Sequence, residues 1–474
     1  MGSYGGRMSE NKEQTTEQTH LLDRLRARVR GPVHAPGSPG HERARSGVQR
    51  VDRHAPDAVV EASDAEDVRA AVAVAAELGL PVAAQRTGHG HGTGLRGGVL
   101  VDTRRLDRVR IDPGHRTAAV GAGATWQDVI DAAVPHGLSP LSGSSPGVGA
   151  VSYTLGGGLS LMGRRYGYAA DHVRSLDLVT ADGRLRRADA HSEPDLFWAL
   201  RGGGSSFGLV TEMELALFPV SRLYGGSLYL DATDTPRALD GWRRWAEGTP
   251  DELTSGVSAV VYPDMEGVPE PMRGRLIVQV SLAWSGPPEK GPALAEPLYS
   301  LAPVLMDTLR ELPYTESGAV FDDHDDPAGF RGEGLLVDSL PSEALAELQK
   351  LAAADRPFMS VVWLRHLGGA LARPPEVPDA VGHRDAAYAL SVLTFTEPDT
   401  DRARALRAEA AALFADHTRG RSSNLSFGAV AEDEVRAMFA PDTLRRLARI
   451  RDRVDPNRRI HTNRPIAAPG TGTA

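Results

Sequence analysis

Residues 58–102 read AVVEASDAEDVRAAVAVAAELGLPVAAQRTGHGHGTGLRGGVLVD, and their pattern decides the fold of the first half of the chain. Ala58–Ala62 is a short apolar strand. Ser63, with Glu66 three residues on, carries a capping-box signal. Val68, Ala71, Val72, Ala75 and Leu78 then recur at helical spacing, and Gly79 ends the helix. Leu80–Gln85 is a second strand, so the unit is β–α–β. It runs straight into a loop packed with glycine, and Val99–Asp102 follows as a third strand. Gly92-Thr93-Gly94-Leu95-Arg96-Gly97 matches G-x-G-x-x-G, but a dinucleotide fingerprint has to open a helix whose N-terminus faces the diphosphate. A strand follows here instead, which excludes a Rossmann site. Glycines alternating with small or polar residues suit a different task, a backbone curled so that successive N–H groups point inward at a diphosphate.

Outward from this unit the chain stays dense in short elements. Val109–Asp112 and Thr117–Val120 alternate as strands, and Gln127–Val134 is helical. A second glycine-rich stretch, SGSSPGVGAVSYTLGGGLS, covers 142–160. Leu176–Thr180 and Leu185–Ala188 form a hairpin about Asp182-Gly183. Leu196–Arg201 is a helix and Phe207–Phe218 a strand. From about residue 223 the texture changes. Tyr224–Leu230, Ser255–Tyr262, Leu276–Ser281, Phe358–Leu364 and Ala387–Thr394 alternate as strands, with helices at Pro236–Glu247 and Ser342–Ala353. That pattern predicts an antiparallel sheet covered by helices. Glu434–Phe439 and Pro441–Arg453 are helical, and 455–466 is an extended tail.

Composition narrows the function. The 474 residues carry a net charge of −9, with no basic stripe for nucleic acid. With no cysteine in the chain, disulfides, thiolate metal sites and a cysteine nucleophile are excluded. No apolar run reaches the ~18 residues of a membrane helix. The polar N-terminus carries no signal-peptide pattern, and Met1–Arg7 reads as a leader. These features predict a cytoplasmic protein. His89 and His91 form His-x-His without the further ligands a metal site needs. The acidic run 322–326 reads as a solvated loop.

Five phrases in order, TGHG (87–90), GSSPGVGAVSYTLGGG (143–158), RRYGYAADHV (164–173), LFWALRGGGSSFGLVTEMEL (196–215) and DPNRRIHTNRPI (455–466), resemble the FAD-linked oxidases of the berberine-bridge-enzyme type, in the vanillyl-alcohol-oxidase superfamily. The resemblance implies an α+β fold with a split, two-part FAD-binding domain and a substrate domain. The boundaries that follow are a leader at 1–20, FAD-binding residues 21–222, a substrate domain at 223–420, a C-terminal return at 421–466 and a tail at 467–474. It implies FAD covalently linked through His89, with His91 as the register alternative. Ser145 stands where some relatives carry a second, cysteinyl link, so one bond is the maximum. Thr87, Gly88, Gly90, Ser144, Val148, Gly149, Ser152, Gly157, Gly158, Val210 and Asn463 complete the implied cofactor set. Ala150 falls at the position that gates dioxygen.

The implied chemistry is hydride transfer from a small organic substrate or secondary metabolite to the flavin, followed by reoxidation by dioxygen. The alternatives are a dehydrogenase, an oxygen-inserting enzyme, or a flavoprotein that sequesters a small molecule. Relatives often carry an Asn-Tyr pair before the C-terminal helices. The matching stretch here, Asn424-Leu425-Ser426-Phe427, has no tyrosine, which speaks against sugar oxidation. Candidate catalytic residues are His366 and Tyr388 on strands of the substrate sheet, and Tyr153 and Tyr166 beside the glycine loops. Strand alternation puts Trp363 and Arg365 on one face and His366 on the other.

Overall fold

The computed structural model describes residues 16–323, 326–354 and 356–467. The proposed leader Met1–Arg7, residues 324–325 of the acidic run, and most of the tail lie outside these.

Three sheets organise the chain. The first has four strands, β1 (Val33–His34), β2 (Ala58–Glu61), β3 (Val82–Gln85) and β4 (Val99–Asp102), in the order β1-β2-β4-β3. Strands β2, β4 and β3 run parallel, because helix α1 (Ala65–Glu77) carries the chain back over the sheet between β2 and β3. The helix forms where the apolar spacing places it, burying Val68, Ala71, Val72 and Ala75. Its cap sits one residue later than the sequence suggests. The Asp64 carboxylate accepts from the Asp67 N–H at 2.9 Å, whereas the Ser63 N–H donates to the Asp67 side chain. That same buried carboxylate also takes the N–H groups of Arg30 and Gly31, so Asp67 pins the N-terminal segment to the helix start.

The second sheet holds β5 (Val109–Asp112), β6 (Thr117–Gly121), β7 (Val173–Val179), β8 (Leu185–Asp189) and β9 (Leu209–Ala216), in the order β5-β6-β9-β7-β8. Helix α2 (Trp126–Ala133) follows β6, capped by a Thr125–Asp128 capping box. A short helix, α3 (Ala150–Leu155), interrupts the second glycine stretch, which reads as loop in the sequence. Trp126, Phe207 and Met213 anchor the core between these elements. Leu447 and Ile450 of the C-terminal helix (Pro441–Val454) join the same core.

The third sheet has nine strands: β10 (Arg222–Asp231), β11 (Leu253–Val261), β12 (Leu276–Trp284), β13 (Val304–Asp307), β14 (Arg310–Pro313), β15 (Arg331–Val337), β16 (Ser360–His366), β17 (Tyr388–Thr394) and β18 (Thr418–Arg421). All its pairings are antiparallel. Helices Ala238–Glu247, Ser342–Ala353 and Asp401–Ala412 cover one face, packing Trp242, Leu345, Leu348 and Leu406 on Val257, Val280, Leu364 and Leu390. The residues of opposite parity point to the other face. There the strands carry Ser227, Gly256, Ser258, Gln279, Ser281, Ala389 and Ser391, too small or too polar to make an apolar core.

That second face turns toward the glycine loops. Ala389 and Leu336 from the sheet cluster with Tyr168 and Leu159. The segment Tyr314–Val320 and its neighbour Phe321 lie across the same face. Ser227 Oγ donates to the Val320 carbonyl at 2.8 Å, and Gln279 Nε2 donates to the Phe321 carbonyl at 2.9 Å. At its other end Tyr314 Oη donates to the Pro140 carbonyl at 3.0 Å, just before the second glycine stretch. The chain end also returns. The Val82 N–H donates to the Arg459 carbonyl and the His461 N–H to the Val82 carbonyl, both at 2.8 Å, which seats the tail beside β3.

Candidate functional site: an arginine-lined cavity and a polar sheet face

The first glycine loop leaves β3 and meets the 46–49 segment backbone to backbone. Val48 N–H donates to the Thr87 carbonyl at 2.9 Å. Gly88 adopts φ +69°, and a Cβ built on it would lie 2.8 Å from the Gly47 Cα. No side chain fits between the strands of this crossing. Above it opens a cavity of about 620 Å³ lined by Thr87, His89, Gly147 and four arginines, Arg50, Arg53, Arg86 and Arg104. Among the described residues, Arg104 alone of the four is held by a carboxylate, with Nε 3.0 Å from both oxygens of Asp102. Arg86 Nε donates to the Gly123 carbonyl. A concave site rich in guanidinium groups and glycine backbone has the donor chemistry a dinucleotide diphosphate requires. The residues present therefore fit FAD.

His89 lines this cavity, but His91 does not. His91 is 4 % exposed, with Nε2 2.7 Å from the Asp52 carbonyl oxygen and its ring edge-on to His54 at 4.3 Å. The register alternative is thus a buried packing residue. Burial and neighbouring imidazoles push His54 down to about 3. Asn463 of the returning tail reaches this loop, accepting from the Gly92 N–H at 3.3 Å, with Gly90 close by.

In the second stretch Ser144, Ser145 and Val148 are half-buried on either side of Gly147. Gly149 caps α3, and Ser152 on that helix is exposed, its Oγ donating to the Gly149 carbonyl at 3.3 Å. Ala150 is fully buried. Gly157 and Gly158 both hold positive φ, and a Cβ on Gly158 would lie 2.6 Å from the Tyr153 ring. Val210 is buried in β9 opposite Leu178. The Asn424 Nδ2 donates to the Tyr153 carbonyl at 2.9 Å, so the segment that lacks the tyrosine of relatives still braces this helix.

The four candidate catalytic residues separate. Tyr153 stands in the interior, its hydroxyl buried and without a hydrogen-bond partner among the described residues. Burial drives its phenol well above its ordinary value, an effect that the charge of Arg365 opposes. Tyr166 instead packs on Phe218, ring centres 4.3 Å apart, at the rim of the second-sheet core. His366 and Tyr388 lie apart from Tyr153. They stack at 5.5 Å, but on the helix-covered face: Tyr388 Oη donates to Glu247 at 3.2 Å and packs on Trp242, while His366 Nε2 lies 3.0 Å from Arg164 Nη1. Parity decides this. Residues 362, 364 and 366 share the core face, so a polar residue at the end of that row joins the core's edge.

The residues that sequence reasoning passed over are Arg365 and Trp363, one parity step away. Arg365 is 2 % exposed, with its guanidinium 3.9 Å over the Phe321 ring and 4.4 Å over Trp363. The available signal was the strand SVVWLRH itself, once its core row is identified. Phe321 carried no signal, since its segment is irregular.

Comparison with known proteins agrees with this architecture. Residues 56–189 match the FAD binding domain family. An uncharacterized FAD-linked oxidoreductase of Bacillus subtilis is 26% identical over 388 residues, covering 80% of this chain and 84% of that protein. The (R)-6-hydroxynicotine oxidase of Paenarthrobacter nicotinovorans is 34% identical over 170 residues, an alignment spanning 35% of this chain and 37% of that one. Among solved structures, 6-hydroxy-D-nicotine oxidase from Arthrobacter nicotinovorans superposes with a TM-score of 0.80 at 23% identity, covering 93% of this chain and 98% of that chain. Xylooligosaccharide oxidase from Myceliophthora thermophila gives 0.81 at 21%, covering 94% and 99%. The protein is thus an FAD-dependent oxidoreductase. Residues 56–189 are its FAD binding domain, and its fold is shared with 6-hydroxy-D-nicotine oxidase, xylooligosaccharide oxidase and Physcomitrella patens BBE-like 1.

Proposed function

We propose that this protein is an FAD-dependent oxidase of a small, ring-containing organic molecule, with dioxygen as its second substrate. The observation that carries the reading is the arginine-lined cavity at the His89 loop, inside the segment that matches the FAD binding domain. Relatives named for 6-hydroxynicotine and for xylooligosaccharides support a small organic substrate.

Bound FAD supplies the hydride acceptor and returns its electrons to dioxygen, giving hydrogen peroxide. The chain's own residues do the rest. Arg50, Arg53 and Arg86 neutralise the diphosphate, and Thr87 and Gly147 bring backbone close to it. His89 forms the single covalent link, since the chain has no cysteine for a second. The polar face of the nine-stranded sheet, Trp363 and Arg365 with Tyr153 opposite, holds the substrate. Tyr153 keeps its proton at neutral pH and acts as a hydrogen-bond donor at its hydroxyl. Residues 223–420 supply this face, while 21–222 and 421–466 supply the cofactor site. Ala150, with no bulk beyond Cβ, leaves room for dioxygen beside the second loop.

The test is to precipitate the purified yellow protein with acid and follow the colour. A yellow pellet, with one FAD mass on the peptide that contains His89, supports the linked oxidase. A colourless pellet removes the link, and a protein that is never yellow and takes up no FAD removes the reading.

A further inference from the structure

Arg365 holds a full charge in a place where the described residues give it nothing to pair with. It is 2 % exposed, and its Nε is buried without a hydrogen-bond partner among the described residues. Its guanidinium makes no hydrogen bond or ion pair with any of them. Asp323 acts on it only through the electrostatic field, from an exposed position. Burying an unpaired guanidinium is unfavourable, and structural arginines elsewhere in this fold avoid it. Arg201 donates to the carbonyls of Val377 and Pro378, Arg164 to those of Leu253, Leu367 and Thr249, and Arg384 to Asp171 and Asp379.

The site around Arg365 is built rather than accidental. Its two ladder neighbours are Gly256 on β11, over which Phe321 packs, and Ala389 on β17, so neither sends a polar group onto the guanidinium. The aromatic rings of Phe321 and Trp363 hold the guanidinium plane without satisfying its N–H groups, because ring faces accept charge but leave the in-plane donors free. Trp363 is itself flanked by Ser258 and Ser391, so its half-buried ring borders a polar floor. Tyr153 comes from the second glycine stretch with a buried hydroxyl that has no partner among the described residues, and it packs against the same core cluster as Phe321, the ring under Arg365. A cation with free in-plane donors, a phenol hydroxyl and a flat aromatic wall thus converge where the sheet meets that loop.

We propose that Arg365 anchors a substrate carboxylate: the oxidised molecule is a flat, ring-bearing acid whose carboxylate takes the guanidinium fork and the Tyr153 hydroxyl while its ring lies along Trp363. This rests on the oxidase reading above and narrows its substrate class. A carboxylate matches the paired donors of the fork, which a neutral amide or alcohol does not. The ring–guanidinium stack then holds the fork in register before the ligand arrives, which lowers the ordering penalty on binding.

The test compares benzoate with benzamide, equal in shape and different in charge, on the purified holoprotein. Two readouts are followed, the perturbation of the flavin absorption band and the thermal midpoint. Benzoate is expected to bind at least tenfold more tightly than benzamide. Arg365→Gln is expected to weaken benzoate about 30-fold or more and to abolish the preference, the usual consequence of removing one partner of a buried charge pair. Arg365→Lys should keep part of the preference, and Tyr153→Phe should weaken benzoate severalfold while keeping its sign. Equal binding of the two probes by the wild type overturns the proposal, with no variant needed. A preference that survives in Arg365→Gln overturns it too, and leaves Arg365 a packing cation. The thermal midpoint keeps the two readings separable. Protein that takes up no FAD yet is stabilised by benzoate over benzamide defeats the oxidase and spares the anchor, whereas covalently flavinylated protein indifferent to charge does the reverse.

Discussion

Arg365 stands directly across the β11–β16 ladder from Gly256, and the absence of a side chain at Gly256 is what lets Phe321 approach the guanidinium. A Cβ at Gly256 would lie 3.0 Å from Phe321 Cε1 and 2.9 Å from the Leu364 carbonyl oxygen, tighter than side chains normally pack. Gly256→Val should therefore push Phe321 off the arginine. We expect a loss of about 1–3 kcal/mol in stability, the range for overpacking, together with weaker benzoate binding. A urea titration and a binding isotherm on the same sample check both.

His89→Ala should release the flavin from the chain without dissolving the cavity, since the arginines remain. Acid precipitation is then expected to leave the colour in the supernatant. Turnover should fall about tenfold or more, the effect of roughly 1.4 kcal/mol on the barrier. Anaerobic stopped-flow reduction measures that fall, and an unchanged yellow pellet would move the link to another residue.

At Gly88 the left-handed backbone and the contact with Gly47 act together. Gly88→Ala should cost about 1–3 kcal/mol and lower FAD occupancy, because the strained loop has to move the 46–49 segment to accept a methyl group. The ratio of flavin to protein absorbance gives occupancy directly.

Stability should fall as pH drops below about 6.5. The His54 imidazole titrates near 3 in the folded chain because it is buried beside His91 and His461, while an unfolded histidine titrates near 6.5. Between those values the unfolded chain binds the proton and the folded chain does not, so acid favours unfolding. His366, also near 3 through burial and Arg164, adds in the same direction. At pH 5 His54 alone accounts for up to about 2 kcal/mol, with less from the half-buried His366. Denaturant midpoints at pH 7 and pH 5 should differ in that sense, and His54→Gln should shrink the difference.

Tyr388→Phe separates the two faces of the sheet. It removes a hydrogen bond to Glu247 on the helix-covered side. We expect about 1 kcal/mol of destabilisation and turnover within twofold of wild type. A large loss of turnover at unchanged stability would return Tyr388 to the site.

The sequence by itself determined the β–α–β unit, the two glycine stretches and most strands of the third sheet. Periodicity, glycine punctuation and capping residues are local signals, and local signals survive without coordinates. It also determined that His89 lies in a glycine-rich loop, because the glycines around it are contiguous with it. The tertiary structure decided which of two equivalent faces is which. Residues 365 and 366 are adjacent on one strand, and alternation says only that they oppose each other. The helices Ala238–Glu247, Ser342–Ala353 and Asp401–Ala412, packed from distant parts of the chain, claim the row of 362, 364 and 366 as core. They leave Trp363 and Arg365 to the glycine loops. Likewise His91 matches His89 in spacing, but the carbonyl of Asp52 and the ring of His54 remove it from the cavity. Contacts across such separations depend on how whole layers stack, and no pattern within a single strand or loop encodes that.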